Sequence, residues 1–408
     1  MTAATVSTKV ESGYYASQYR VIDTDTHVIE PPDLWTSRMP SKWGDMRPHV
    51  AWSEAWGEER WRVGDKWLNP VAAYSQGGWK DYPPSHPGSL DESIEGGHDA
   101  NARLRTMDEY GLYAQVLYPN MIGFDSQAFF TLPEPEAALD CVRAYNDFLT
   151  DFASADPNRL LPISMLPFWD VDASVKEMKR CREMGHRGIL WAAKLHVLGF
   201  PRIVRKEWDP VYAAAQDLDM SVNLHIGIGA FTEDDLQAVR DDPRKGGKFS
   251  AAAYVVDTAG SFTSNMQTIG TLLVSDLFER FPKLKMVSVE SGFGYLPYLL
   301  ESLDWQWKNS SGPRTYPNRR LPSEKFFSNV LATFWFEHRT LELLNLMPEY
   351  ADNLMFETDF PHATSITPGP ASSADLPKVM LDQNMQGLPD DVVEKILHSN
   401  AAKLYHVK

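Results

Sequence analysis

The sequence predicts an α/β fold, a (β/α)8 TIM barrel carrying a tryptophan-rich insertion between its first and second strands. Short apolar runs recur along the chain, each followed by a longer stretch with helical periodicity, which is the rhythm of a parallel βα architecture. The runs number about eight, the strand count of a closed barrel. The chain is 408 residues long and 43% hydrophobic, enough for a large core and for either one barrel with insertions or two ordinary domains. Counting alone leaves a doubly wound open sheet with extra elements open.

In order, residues 1–18 read as a polar tail and residues 19–408 as a single domain. The strand runs are Arg20–Asp25, Ala114–Tyr118, Leu161–Leu166, Gly188–Ala193, Ser221–His225, Lys285–Glu290, Val330–Phe334 and Asn353–Thr358. Among the helices, Pro135–Phe152 has apolar residues three and four apart. Asp170–Met184 opens on an N-capping Asp and ends before Gly185, as helix termini favour. Leu388–Tyr405 opens on Pro-Asp-Asp and closes the fold as a helix. One stretch breaks the rhythm. Residues 35–98 hold Trp43, Trp52, Trp56, Trp61, Trp67 and Trp79, with a hairpin around Gly64-Asp65. Such an excursion is either a lid or a small subdomain packed over a barrel end. A second connection, residues 229–264, mixes charges with a helix.

Charge narrows the partners. With 39 Lys and Arg against 55 Asp and Glu, the net charge is −16. Such a surface repels phosphate backbones and anionic lipid, so a small molecule is the expected partner, with no nucleic acid and no membrane. The two cysteines, Cys141 and Cys181, lie in helical segments without metal-ligand spacing, the usage of a reducing compartment. The N-terminus lacks a signal-peptide pattern, and the chain has no run of 18 apolar residues, so a soluble, cytoplasmic protein is expected.

In a parallel barrel the carboxyl ends of the strands face one cavity. Asp25, His27 and Glu30 stand at the first such end, His225 at the fifth, Glu290 at the sixth, and Asp359 with His362 at the eighth. Residues i and i+2 of a strand share a face, so Asp25 and His27 can converge on one ion. Taken singly, each has a structural alternative; an Asp after a strand often caps a helix. Together they point to metal binding by a subset.

The segments VIDTDTHVIEPPDLW, VNLHIGIG, MFETDFPH, SVESGFGYLPYLLESLD and SNAAKLY resemble the second amidohydrolase family, the aminocarboxymuconate-semialdehyde decarboxylase-like branch of the amidohydrolase superfamily. The resemblance covers nearly the whole chain outside the tail and the insertion. It implies a distorted barrel with one divalent metal held by Asp25 and His27 from strand one, His225 from strand five and Asp359 from strand eight. It also implies a homodimer, as is common in the family. There are two departures. Asp25 stands where many members have His, and Glu290 stands where decarboxylases of the family have a His that acts on substrate. Both put carboxylate for imidazole, which moves preference from Zn toward Fe or Mn and gives extra carboxylates able to bridge two ions, two Fe among them. Lys194, near the fourth strand, matches the region where two-metal relatives use a carboxylated Lys, although a solvated loop Lys is the simpler reading.

The expected activity is that of a metal-dependent hydrolase or lyase acting at a carbonyl or carboxylate of a small, largely apolar or aromatic substrate. Asp359, Glu290 and His362 are the catalytic candidates, Glu290 being also a candidate metal ligand, and His338 could line the same rim. Phe124, Trp191, Phe293, Tyr295, Trp335 and Phe360 fall near strand ends and could hold an apolar substrate or form core. The alternative is a non-haem iron or di-iron oxygenase acting on an acyl or terpenoid-type substrate, since the ligand types suit such centres. A degenerate, non-catalytic binder is the third reading.

Overall fold

The computed structural model describes residues 13–228 and 251–408. Eight parallel strands make the barrel: β1 (Ile22–His27), β5 (Ala114–Tyr118), β6 (Leu160–Ser164), β7 (Gly188–Leu190), β8 (Ser221–His225), β9 (Met286–Val289), β10 (Val330–Phe334) and β11 (Leu354–Phe356), hydrogen-bonded in that order. Every residue of these strands is buried, as expected for strands covered by helices on one face and filled by side chains on the other. The seam between the last strand and the first closes just beyond β11. There Asp359 N–H donates to the Asp25 carbonyl at 2.9 Å, His27 N–H donates to the Phe360 carbonyl at 2.7 Å, and Thr26 pairs with Phe360.

Three expected strands match in both bounds; the others shift or shorten by up to three residues at an end. The first is displaced by two residues at both ends: the strand begins at Ile22 and runs on to His27, so that Asp25 and His27 both lie on the strand itself. The helices Pro135–Ala153 and Val171–Glu183 match the periodic segments, and the Asp170 side chain accepts the Ala173 N–H as its N-cap. The C-terminal helix runs from Asp390 to Tyr405 through one wider turn at Lys395–Ser399. Its Tyr405 hydroxyl reaches the Asn223 side-chain oxygen on β8 at 2.9 Å.

The stretch between β1 and β5 folds around a three-stranded antiparallel sheet of β2 (His49–Ser53), β3 (Glu58–Val63) and β4 (Lys66–Pro70). Val63 pairs with Lys66, leaving Gly64-Asp65 as the expected turn, and Gly64 has φ of 63°, a conformation glycine adopts without steric cost. Two of the tryptophans are anchors. Trp61 packs edge-on against buried Trp35 at 5.3 Å, and Trp43 donates from its indole to Asp140 on the helix Pro135–Ala153 at 2.8 Å. Trp52 is 55% exposed.

Two boundaries differ from expectation. Residues 14–18, read as the end of the tail, form a short helix docked through Asp382, which accepts the Tyr15 N–H at 3.1 Å. Tyr15, buried in this segment, and Tyr19, just after it and stacked on Tyr15, supply the apolar contact that a polar tail would lack. Residues 1–12 of the tail and 229–250 of the second connection lie outside the described residues, and the rest of that connection opens on the helix Ala251–Phe262. Both cysteines are buried and unpaired. Among the described residues no helix is long and apolar enough to cross a membrane.

Candidate metal centre

The carboxyl end of the barrel gathers four of the expected residues into one buried group. Asp25, His27, His225 and Asp359 each offer one ligand atom, and these atoms all lie within 4.8 Å of one another. All four side chains are fully buried. The strands explain the convergence: β1 turns Asp25 and His27 to the same side, β8 ends on His225, and Asp359 is tied by its own N–H to the Asp25 carbonyl.

The hydrogen bonds of the group leave ligand atoms free to face one another. His27 Nδ1 faces the Pro119 carbonyl at 3.3 Å and His225 Nδ1 faces the Ile226 carbonyl at 2.7 Å. A proton on each Nδ1 satisfies those carbonyls and leaves both Nε2 atoms as bare lone pairs, the tautomer that metal-ligating histidines adopt. The two Nε2 atoms stand 3.0 Å apart. Two lone pairs at that distance repel unless a cation sits between them and their neighbours. Both carboxylate oxygens of Asp25 are buried without a hydrogen-bond donor, although Asp25 lies 3.5 Å from His27 Nε2 and 3.4 Å from His225 Nε2. Unpaired buried charge is costly, and a divalent cation satisfies the whole set. These residues fit a metal ion.

Electrostatics point the same way. Burial, reinforced by the Asp359 and Asp23 carboxylates, pushes the Asp25 carboxyl well up. Burial and then the His362 and His225 rings hold His27 well below the usual imidazole range. A neutral imidazole and a carboxylate lacking a countercharge are the forms a metal selects.

The remaining candidates fall around this group. His362 Nδ1 is 2.9 Å from Asp359 Oδ1, its Nε2 is 3.1 Å from the Asn120 side-chain oxygen, and its ring stacks on His27 with centroids 3.8 Å apart. The other Asp359 oxygen accepts from the Thr364 hydroxyl. Glu290, at the exit of β9, brings Oε2 to 3.7 Å from His225 Nε2 but lies outside the four-residue group. Its carboxyl is raised by burial and then by Asp359. Glu290 and Asp359 have φ of 53° and 57°, a left-handed conformation uncommon for such residues. Strain of this kind, on the order of 1–3 kcal/mol each, persists where the surrounding structure over-determines the backbone.

Other expectations are redistributed. Glu30 is buried but is not one of the four, and burial pushes its carboxyl up to about 8. Lys194 is half-buried beside the turn Leu195–Leu198, and His338 is exposed. Of the six aromatic candidates, Phe124 is the one that stands against the site, 5.6 Å from His27, 5.4 Å from His225 and 5.7 Å from His362. Trp191 packs on Trp208, and Phe293 on Tyr350. Tyr295 bonds Ser288, Trp335 meets Phe262, and Phe360 lies under Arg103. These belong to the packing, because large apolar rings next to strand ends fill the layer between strands and helices as readily as a pocket.

Sequence reasoning missed Glu357, Asn120 and Tyr74. Glu357 is fully buried, and burial and then the Asp25 carboxylate push its carboxyl up; its place two residues before Asp359 repeats the Asp25–His27 spacing, a signal that was available. Tyr74, beyond β4, stacks on Phe124 at 5.4 Å and lies 5.9 Å from His362; no local pattern marks it.

Comparison with known proteins agrees with this architecture. A family model described as Amidohydrolase matches residues 22–407. The chain is 26% identical to gamma-resorcylate decarboxylase of Rhodococcus jostii over 276 residues, 64% of this chain and 77% of that protein. It superposes on the amidohydrolase map2389c of Mycobacterium avium subsp. paratuberculosis with a TM-score of 0.70 at 20% identity, covering 95% and 99% of the two chains. It also superposes on a dihydroxybenzoic acid decarboxylase of Polaromonas sp., solved with bound manganese and 2-nitroresorcinol, with a TM-score of 0.58 at 20% identity over 95% and 97%. The chain therefore belongs to the amidohydrolase family and is a metal-dependent enzyme of that family.

Proposed function

We propose that this enzyme is a lyase that removes the carboxylate of a small aromatic acid, with one divalent ion held by Asp25, His27, His225 and Asp359. The observation that carries the metal is the pair of imidazole Nε2 atoms 3.0 Å apart beside the unpaired oxygens of Asp25. Support for decarboxylation comes from the relatives named above, which act on dihydroxybenzoic acids. They give the oxygenase reading no support. A bound cation supplies Lewis acidity, drawing the substrate's oxygens to a fixed place and withdrawing charge from them.

The chain's own residues do the rest. Loss of carbon dioxide breaks a carbon–carbon bond and leaves the electron pair on the ring carbon, which must take up a proton. His362 is the natural group to handle that proton, since its ring is held between Asp359 and Asn120 and is 8% exposed while the metal ligands are sealed. Asp359 holds the imidazole through Nδ1 and so couples proton transfer to the metal site. Phe124, backed by Tyr74, offers an apolar wall against which a planar ring can lie. The stretch 35–98 thereby contributes to the pocket through Tyr74, in keeping with a covering role.

The test is carbon dioxide release from a panel of hydroxybenzoates by protein loaded with Mn2+, compared with His362→Asn. Release that falls by about 10²–10⁴ in the variant, with metal retained, is the expected result. Hydrolysis of esters or amides with no release from any phenolic acid would overturn the reading.

A further inference from the structure

Arg103, on the helix Ala100–Tyr110, is fully buried, and among the described residues no carboxylate makes an ion pair with it. Burial pulls its pKa down to about 9, so it is still a cation at neutral pH. A buried cation without a countercharge is costly unless its donors are met. Here they are met by oxygens of separate segments. Nε donates to the Gly96 carbonyl, Nη1 to the Thr26 hydroxyl and to the Gln115 side-chain oxygen at 3.3 Å each, and Nη2 to the His27 carbonyl. The guanidinium also lies 4.6 Å from the centre of the Phe360 ring. Gln115 Nε2 donates in turn to Asp23 at 3.0 Å, so that this carboxylate is reached through an amide rather than by contact.

Three of these partners frame the metal centre. Thr26 precedes the ligand His27, and Phe360 follows the ligand Asp359. His27 N–H donates to the Phe360 carbonyl at 2.7 Å across the seam of the barrel, and its own carbonyl takes Arg103, so both peptide groups flanking the ligand are held. Gly96 belongs to another part of the molecule. It lies in the turn Glu95–Gly97 at the end of the tryptophan-rich stretch, whose Gly97 carbonyl accepts the Ile29 N–H at 2.9 Å. Space there is tight, since a Cβ on Gly96 would stand 2.8 Å from Thr106 Oγ1 and 3.5 Å from Arg103 Cα. A rigid planar fork of donors holds several acceptors in fixed relative positions, which an ammonium on a flexible stem does not.

We propose that Arg103 is a positioning residue of the metal centre: its guanidinium ties the backbone of His27 and the ring of Phe360 to the end of the insertion, so that a residue touching no ion sets where the ligands His27 and Asp359 stand. The proposal rests on the four-residue centre and not on the reaction assigned to it. Partners that orient metal ligands change metal affinity by about 10–100-fold, and an effect on that scale is expected here.

The experiment is Mn2+ affinity of the full-length protein, measured by competition with a chelator, beside the melting temperature of each apoprotein. Arg103→Lys keeps the charge and loses the fork, and should bind Mn2+ about 10–100-fold more weakly. Arg103→Met removes the charge and should weaken binding as well, because the geometry is lost; were the guanidinium acting only as a charge near the ion, its removal would tighten binding. Gly96→Ala disturbs the fork from the insertion side and should weaken binding by a smaller factor. Combined with Arg103→Lys it should add no further loss, since both act through the same guanidinium. An arginine that merely stabilises the core would lower the melting temperature and leave the affinity of the folded protein unchanged. Unchanged affinity in Arg103→Lys, tighter binding in Arg103→Met or fully additive losses in the double variant would overturn the proposal. If neither Arg103 variant folds, Gly96→Ala decides: weaker Mn2+ binding supports the proposal and unchanged binding overturns it. These affinities are read without substrate, so a failed carbon dioxide assay leaves them standing, and lyase activity does not rescue them.

Discussion

Asp23 and Asp25 lie two residues apart on the same strand and are equally buried, yet they are opposite kinds of group. Asp23 is saturated with donors from Thr358 and Gln115. Asp25 has none for either oxygen. Burial raises the proton affinity of both, Asp23 to about 7 and Asp25 also upward. The histidines repeat the contrast. His186 is buried between the Ser164 and Thr150 hydroxyls at 3.0 and 2.9 Å, one partner for each nitrogen. His27 keeps one nitrogen for the Pro119 carbonyl and turns the other, unprotonated, to its neighbours. Burial alone therefore does not separate the two kinds of group in this barrel; the partners of their buried polar atoms do.

The contrast can be broken or sharpened by substitution. The largest effect belongs to the unpartnered set: His225→Ala should lose bound metal and catalytic activity together, read by elemental analysis beside an activity assay. Retained metal would remove His225 from the centre. Next, replacing a partner that orients rather than ligates should weaken metal less severely. Thr364→Val strips the hydroxyl from Asp359 and should lower metal affinity by about 10–100-fold, measured by competition with a chelator of known affinity.

Effects at the saturated groups should be on stability and smaller. Asp23→Ala leaves the Thr358 and Gln115 donors without their acceptor and should cost roughly 1–3 kcal/mol in denaturant unfolding while metal stays bound. His186 adds a pH signature. Its folded-state proton affinity is depressed by burial to about 3, against an ordinary 6.5. Between those values the unfolded chain binds the proton and the folded chain does not. Its contribution is thus complete above pH 6.5 and declines as pH falls below it, by about 2 kcal/mol at pH 5. His186→Gln should flatten that part of the stability–pH curve; an unchanged slope would contradict the assignment.

Much of this was legible beforehand, and the reasons are local. Alternating strand and helix periods gave the eight-stranded order, and the i, i+2 spacing of Asp25 and His27 placed both on one face. His225 and Asp359 followed from strand ends. The turn at Gly64-Asp65 and the caps at Asp170 and Gly185 rest on backbone preferences that act within a few residues. What stayed hidden depends on contacts far apart in the chain. Glu357 meets Glu290 across 67 positions, and Tyr74 reaches Phe124 from a different layer of the molecule. Aromatic residues beside strand ends gave the weakest guidance, since packing uses the same residues there as binding does. The helix at Tyr14–Gln18 was missed because a five-residue segment has no readable period.

The most direct test of the account is metal content measured side by side in Asp25→Asn and Asp23→Asn, with the melting temperature of each apoprotein. Asp25→Asn should bind no metal at concentrations that saturate the unsubstituted protein while its apoprotein is at least as stable, since an uncompensated buried charge is gone. Asp23→Asn should keep its metal and melt lower. Full metal binding by Asp25→Asn, or the same loss of stability in both variants, would contradict the claim that unpartnered buried atoms, not burial, define this metal centre.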